Sequence, residues 1–143
     1  YRYILQNKAT DLVLLKEEIF FLENYFGLLK IRFDAGLQLN LDIPPEALEQ
    51  YLVPPISLQV LAENAIKHNE FSEQVPLYIN IQLTEDELKV SNPIRRKTLR
   101  RPSSRIGLQN LRERYKLTTG KEISVREEND EFIVRLPVLN TLE

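Results

Sequence analysis

Residues 58–69 read Leu58-Gln59-Val60-Leu61-Ala62-Glu63-Asn64-Ala65-Ile66-Lys67-His68-Asn69. Leu58, Leu61, Ala62, Ala65 and Ile66 fall three and four apart, the spacing of one face of a helix. On the other side Asn64, Lys67 and His68 stand at i, i+3 and i+4, so their side chains can converge on one ligand. An amide oxygen, an ammonium and an imidazole suit a hard cation with phosphate oxygens: the amide is a neutral ligand for Mg²⁺, and the other two donate to phosphate. A plainer reading stays open, in which a histidine and asparagines simply finish a surface helix. Pro54-Pro55 leads into this helix, which is expected from about Ile56 to His68.

Working outward, the segment before it opens with another helix. Leu12, Leu15, Ile19, Leu22, Phe26, Leu29 and Phe33 alternate steps of three and four, a heptad seam. Thr10 or Asp11 is the candidate cap at its start. Val13, Phe20, Phe21, Tyr25 and Leu28 widen the stripe, so the helix is expected to serve two surfaces: its own domain and a dimerisation bundle continuing from upstream. After Asp34-Ala35-Gly36, Leu37 to Ile43 alternates strictly and predicts a half-buried strand stopped by Pro44-Pro45, with a short helical turn over residues 46–51.

Downstream, Leu77, Ile79, Ile81 and Leu83 alternate, and Glu87 to Ser91 supplies a partner across Thr84-Glu85-Asp86. A basic, Pro-punctuated loop runs from Asn92 to Ser104, followed by a helix from about Ile106 to Leu117 that ends near Gly120. A hairpin closes the chain, Glu122 to Arg126 and Phe132 to Leu136 around Glu128-Asn129-Asp130. The order predicts an α+β fold: a two-layer α/β sandwich, its mixed, mostly antiparallel sheet carrying helices on one face, preceded by a long N-terminal helix. The expected division is a linker helix over 1–35 and a compact domain over 36–143.

Composition narrows the function classes. At 143 residues with 43% hydrophobic content, the chain has length for one core and little for two. It has no cysteine, which removes thiolate metal sites, thiol catalysis and disulfides together. The net charge of −2 gives no global pull toward nucleic acid or anionic membranes. The chain also lacks methionine, which we read as the mark of a piece of a longer protein. No apolar run approaches the ~20 residues that span a bilayer.

The 58–69 block resembles the asparagine box of histidine kinases in the Bergerat-fold (GHKL) ATPase superfamily, and within it the autolysin-sensor (Lyt-type) kinases. Leu15-Lys16-Glu17-Glu18-Ile19, Glu23-Asn24-Tyr25 and Lys30-Ile31-Arg32-Phe33 resemble that family's segment between the phosphoacceptor region and the ATP-binding domain. The likeness covers nearly the whole chain. It implies that Asn64 holds Mg²⁺ while Lys67 and His68 lie near the nucleotide phosphates. In Lys89-Val90-Ser91-Asn92-Pro93-Ile94, Asn92 stands where the family has an adenine-reading Asp, and the family's glycines are absent. Ser103 to Leu111 resembles the second glycine box, which makes Arg105, Ile106, Gly107 and Leu108 candidate ATP contacts; Arg105 replaces the first glycine. A helix start offers free amides and a positive dipole end to phosphate. Between the boxes Arg95, Arg96, Lys97, Arg100, Arg101 and Arg105 fall where the family has its ATP lid; a nucleic-acid role is disfavoured, since no aromatics interleave.

The family's ATP hydrolases carry a general-base Glu four residues before the asparagine. Here that position is Val60, and Glu63 lies about 100° round the helix from Asn64. The resemblance therefore implies phosphoryl transfer to a histidine. His68 is the sole histidine, so the acceptor is expected upstream of this chain. It further implies ATP and Mg²⁺ as ligands, a response regulator as partner, a homodimer in the full-length protein and a cytoplasmic domain of a membrane-anchored bacterial protein. The alternative is a degenerate nucleotide-binding scaffold, because both glycine boxes are altered.

Overall fold

The structure, a computed structural model, describes residues 12–95 and 106–141. Strand β1 (Val13–Leu14) leads directly into helix α1 (Leu15–Phe33), and a 3₁₀ turn (Asp34–Gly36) leads to β2 (Leu37–Asp42). A second 3₁₀ turn (Pro45–Glu49) and β3 (Tyr51–Val53) precede helix α2 (Ser57–His68). Strands β4 (Leu77–Thr84) and β5 (Glu87–Pro93) follow, then helix α3 (Ile106–Thr119) and strands β6 (Ser124–Glu128), β7 (Glu131–Pro137) and β8 (Leu139–Asn140).

The main sheet has the order β2-β4-β5-β7-β6, with β2 and β4 parallel and every other pair antiparallel. The expected mixed, mostly antiparallel sheet is therefore present. Its alternation separates two faces. Leu77, Ile79, Ile81, Leu88, Val90, Val134 and Leu136 are buried in one core with residues of all three helices. On the strand positions between them lie polar or exposed side chains such as Tyr78, Asn80, Gln82 and Lys89. Asn40 and Asn80, paired in register, join their amides there at 2.8 Å. A sheet with one dry and one wet face needs helices on the dry side only.

Helix α1 buries Leu15, Ile19, Leu22 and Phe26, four members of the expected seam, in that same core. Leu29 and Phe33 are half-buried. The outward stripe is bare: Phe20, Phe21, Leu28 and Ile31 are all exposed. The helix does not extend back through Leu12 as the seam suggests, since Val13 and Leu14 pair with Val53 and Leu52 as a strand. Glu17 Oε1 accepts from the Leu14 amide at 3.2 Å and closes the helix start. The proposed caps Thr10 and Asp11 lie outside the described residues.

β1, β3 and β8 form a small antiparallel sheet that the sequence reading does not contain. Strands of two or three residues are too short to show a period of two. From α3, the buried Tyr115 hydroxyl donates to the Pro137 carbonyl at 2.6 Å and ties this helix to the end of β7. Gly120 ends α3 at φ +76, its amide donating to the Lys116 carbonyl. A left-handed residue just past a helix is the position where glycine has no Cβ penalty.

Candidate functional site

Helix α2 carries Asn64, Lys67 and His68 on its polar side. Its other side, Leu58, Leu61, Ala62 and Ala65, is buried, so packing fixes which face is presented. Asn64 and His68 are half-buried and Lys67 is exposed. Among the described residues nothing hydrogen-bonds the Asn64 amide, which leaves its oxygen available to a cation. No group of three or more His, Cys, Asp or Glu among the described residues could hold a metal. A Mg²⁺ at Asn64 would therefore be completed by phosphate oxygens and water, the coordination this ion prefers.

The last residue of the block does something its sequence position does not advertise. Asn69 is 5% exposed. Its Nδ2 donates to the Ala65 carbonyl at 2.8 Å, and its Oδ1 accepts from the Arg95 amide at 2.7 Å. Arg95 returns its carbonyl to the Glu70 amide at 2.7 Å and sends Nη1 to the Pro76 carbonyl at 2.7 Å. The C-terminal end of α2 is thus joined to the segment leaving β5. Asn64 and Asn92 lie five and three residues before the two sides of this joint.

Asn92 is buried, and its Nδ2 donates to the Pro93 carbonyl at 2.8 Å. That bond commits the amide nitrogen and leaves Oδ1 as the acceptor, the role an adenine amine requires. The start of α3 approaches from a third side: a Cβ on Gly107 would lie 3.9 Å from Val60 Cγ1, one turn before Asn64 on α2. Ile106 and Gly107 are exposed and Leu108 is buried in the core, so Leu108 can offer a ligand only its backbone amide. Arg105 and the cationic segment Arg96, Lys97, Arg100 and Arg101 lie outside the described residues. Helix α2 is thus joined at its C-terminal end to the segment leaving β5, and beside Val60 it meets the first turn of α3.

The sequence reading missed the residues that hold α2 in place. Glu18, 2% exposed on α1, accepts from the amides of Ile56 (Oε1, 3.0 Å) and Leu58 (Oε2, 2.8 Å). Burial raises its pKa above the ordinary carboxylate range, against the opposing pull of the backbone amides at Leu58, Ile56 and Ser57 and of the Arg114 guanidinium. Arg114 Nε and Nη2 are themselves buried without a hydrogen-bond partner among the described residues. One signal was legible: Glu18 lies three residues after Leu15 and four before Leu22, on the apolar side of α1. Further along α1 Tyr25 is half-buried, and burial, then the charge of Glu63, raises its pKa.

With this geometry in place, comparison with solved structures defines the fold. The catalytic domain of the histidine kinase ThkA in a nucleotide-free form superposes with a TM-score of 0.58 at 17% identity, covering 88% of this chain and 94% of that one. The cytoplasmic segment of the histidine kinase QseC gives 0.58 at 14% identity, covering 91% and 79%. The fold is that of histidine-kinase catalytic domains. No protein-family model matches the chain. Among sequence relatives, the sensor histidine kinase YesM of Bacillus subtilis is 30% identical across 96% of this chain and 26% of its own length. An uncharacterized sensor-like histidine kinase of Staphylococcus epidermidis is 38% identical over 89 residues, 62% of this chain and 17% of that protein. The chain is a relative of the sensor histidine kinases, and it spans about a quarter or less of the length of these curated relatives.

Proposed function

We propose that this chain is the ATP-binding domain of a sensor histidine kinase, of the autolysin-sensor type, and that it presents the γ-phosphate of ATP to a histidine elsewhere in the full protein. The observation that carries this reading is the joint between Asn69 and Arg95. It ties the end of α2, the helix that carries Asn64, to the segment that follows Asn92, and Gly107 of the first turn of α3 lies against Val60 of α2; these contacts support the reading.

In this reading Asn64 is a Mg²⁺ ligand. Lys67 and His68 donate to phosphate oxygens, and Asn92 Oδ1 accepts from the adenine amine. The backbone amides of Ile106, Gly107 and Leu108, with Arg105, receive the phosphate chain. Bound Mg²⁺ neutralises phosphate charge. An acceptor imidazole nitrogen then attacks the γ-phosphorus, the bond to the bridging oxygen breaks, and ADP leaves with the electron pair while the imidazole gives up its proton. Water is a poor competitor: Val60 offers no base, and Glu63 Oε2 accepts from Gln59 Nε2 at 3.4 Å. The division at residue 35 gives α1 the part of linker from the acceptor region. The exposed Phe21, Leu28 and Ile31 of that helix would meet a second copy in a full-length homodimer. A response regulator would take the phosphoryl group next. The protein would be membrane-anchored with this domain in the cytoplasm; among the described residues no helix is long and apolar enough to cross a membrane.

Asn92, uncharged where a carboxylate is expected, favours a scaffold with weakened nucleotide binding as the second reading. The test is a chain extended upstream to include the acceptor histidine, incubated with γ-labelled ATP and Mg²⁺. Acid-labile label on the protein, lost in Asn64→Ala, supports the kinase. A folded extended protein that takes up no label in either form overturns it in favour of the scaffold.

A further inference from the structure

The connection from α2 to β4, residues 69–76, is closed by a residue that lies outside it. At its tip the Ser72 amide donates to the Val75 carbonyl at 3.0 Å, and the Val75 amide donates to Ser72 Oγ at 3.2 Å, a turn bonded to itself. Both ends of the connection are bonded to Arg95. The Glu70 amide donates to the Arg95 carbonyl, and Arg95 Nη1 donates to the Pro76 carbonyl, each at 2.7 Å. The Arg95 amide in turn donates to Asn69 Oδ1 at 2.7 Å. Asn69 has both ends of its side-chain amide committed, since Nδ2 donates to the Ala65 carbonyl, one of those the last turn of a helix leaves open. On its far side the connection rests on the end of α1: Phe71 meets Phe33 edge-on with centroids 5.2 Å apart, and a Cβ on Gly36 would lie 3.2 Å from the Ser72 backbone.

Arg95 opens the run of cations at 95–105, and sequence alone does not set it apart from the others. Its bonds do. Amide, carbonyl and guanidinium each hold a partner, and all three partners belong to the end of α2 or to the connection that follows it. That is the bonding of a staple, not of a cation kept for a ligand. We infer that Arg95 and Asn69 are positioning residues that fix the spacing between the helix bearing Asn64 and the strand end bearing Asn92, and that the Arg95 charge does not serve phosphate. Asn64 stands five residues before Asn69 on a helix, about 7.5 Å, and Asn92 three residues before Arg95, at most about 10 Å of chain. Both arms are stiff: one is helix, and on the other β5 runs to Pro93 and the Ile94 amide donates to the Asp130 carbonyl at 2.8 Å. Where two stiff arms are bonded sets how far apart their ends lie. A single ligand that touches both arms therefore loses affinity when the joint slackens.

The consequence for binding rests on the proposed nucleotide site, whereas the joint itself does not, and the test separates them. Arg95→Met removes the guanidinium and its charge but keeps an apolar stem. Asn69→Ala removes the acceptor of the Arg95 amide with no change of charge. In the full chain, amide hydrogen exchange is followed at positions 70 and 95 without nucleotide, and Mg-ATP affinity is titrated at low and at high salt. Both variants should exchange faster at these two positions than the wild type, ahead of global unfolding. In both, affinity should fall by about three- to tenfold, the loss expected for one hydrogen bond. Arg95→Met should keep the wild-type dependence on salt, since a staple brings no charge to the ligand. A cation on phosphate gives another pattern: Arg95→Met weakens binding, flattens its salt dependence and leaves exchange at position 70 as it was. That pattern overturns the inference, as does wild-type affinity in a folded Asn69→Ala chain. If the wild-type chain binds no nucleotide, the proposed function fails, and exchange alone decides the joint: a rise at positions 70 and 95 in Arg95→Met supports it and no change overturns it.

Discussion

Replacing Glu18 with alanine removes the cap of α2 without touching α2 itself. Two charge-assisted hydrogen bonds are lost, at 3.0 and 2.8 Å, and the Leu58 amide is left buried. A hydrogen bond to a charged group contributes roughly 1.5–3 kcal/mol, and loss of a helix cap costs about 0.5–2 kcal/mol. Against this, the variant no longer buries a carboxylate, whose raised pKa records that penalty. The net destabilisation expected is about 2–3 kcal/mol, which in a domain of this size lowers the melting temperature by roughly 5–10 °C. Urea unfolding followed by far-ultraviolet circular dichroism measures it. The midpoint should move with an unchanged slope, since the surface exposed on unfolding is the same. A loss under about 0.5 kcal/mol would refute the reasoning, because it would mean that the α2 amides find other partners as readily as Glu18.

Asn69→Ala should destabilise the chain by about 1–2 kcal/mol in the same assay, having orphaned the Arg95 amide; Asn69→Asp, which keeps the acceptor, should recover part of this. Gly120→Ala should cost about 1 kcal/mol although nothing crowds the site, because only the positive φ of 76 opposes a side chain. Stability should also carry the signature of Glu18. Its folded pKa is raised, so the native state binds the proton first, and the stability linked to it is fully present below the ordinary value of 4.5 and lost as pH rises through the folded pKa. Relative to Glu18→Gln, the wild type should therefore gain stability as pH falls through that window. Arg114 and Tyr115 face Glu18 from α3, and burial raises the pKa of the Tyr115 hydroxyl. Paired urea curves across the window check this, and a flat difference contradicts it.

The main sheet was legible wherever a strand was long enough to alternate. Leu77, Ile79 and Ile81 face the core as their spacing required, and the final hairpin turns at Asn129 and Asp130, both at positive φ, residue types that tolerate it. Alternation does not say which neighbour a strand takes or in which direction, so the parallel pairing of β2 with β4 needed the structure. The strand at Val13–Leu14 was hidden because those residues also continue a helical stripe; pairing with β3 overrode the local pattern. At the site, the face of Asn64, Lys67 and His68 followed from helical spacing alone, and the assignment of ligands to it came from the resemblance. The supporting residues were illegible for a different reason. Glu18 and Asn69 act across 26 to 40 residues of sequence, and no local period encodes a partner at that distance. Only the misfit of a carboxylate on an apolar stripe marked one of them.

The address at Asn64 is tested most directly by titrating the chain with ATP in the presence and absence of Mg²⁺, beside Asn64→Ala. The account predicts saturable binding that depends on Mg²⁺ and weakens by about tenfold or more when the amide is removed, the equivalent of one good ligand interaction. Equal affinity with and without Mg²⁺, or wild-type affinity in a folded Asn64→Ala chain, would contradict it.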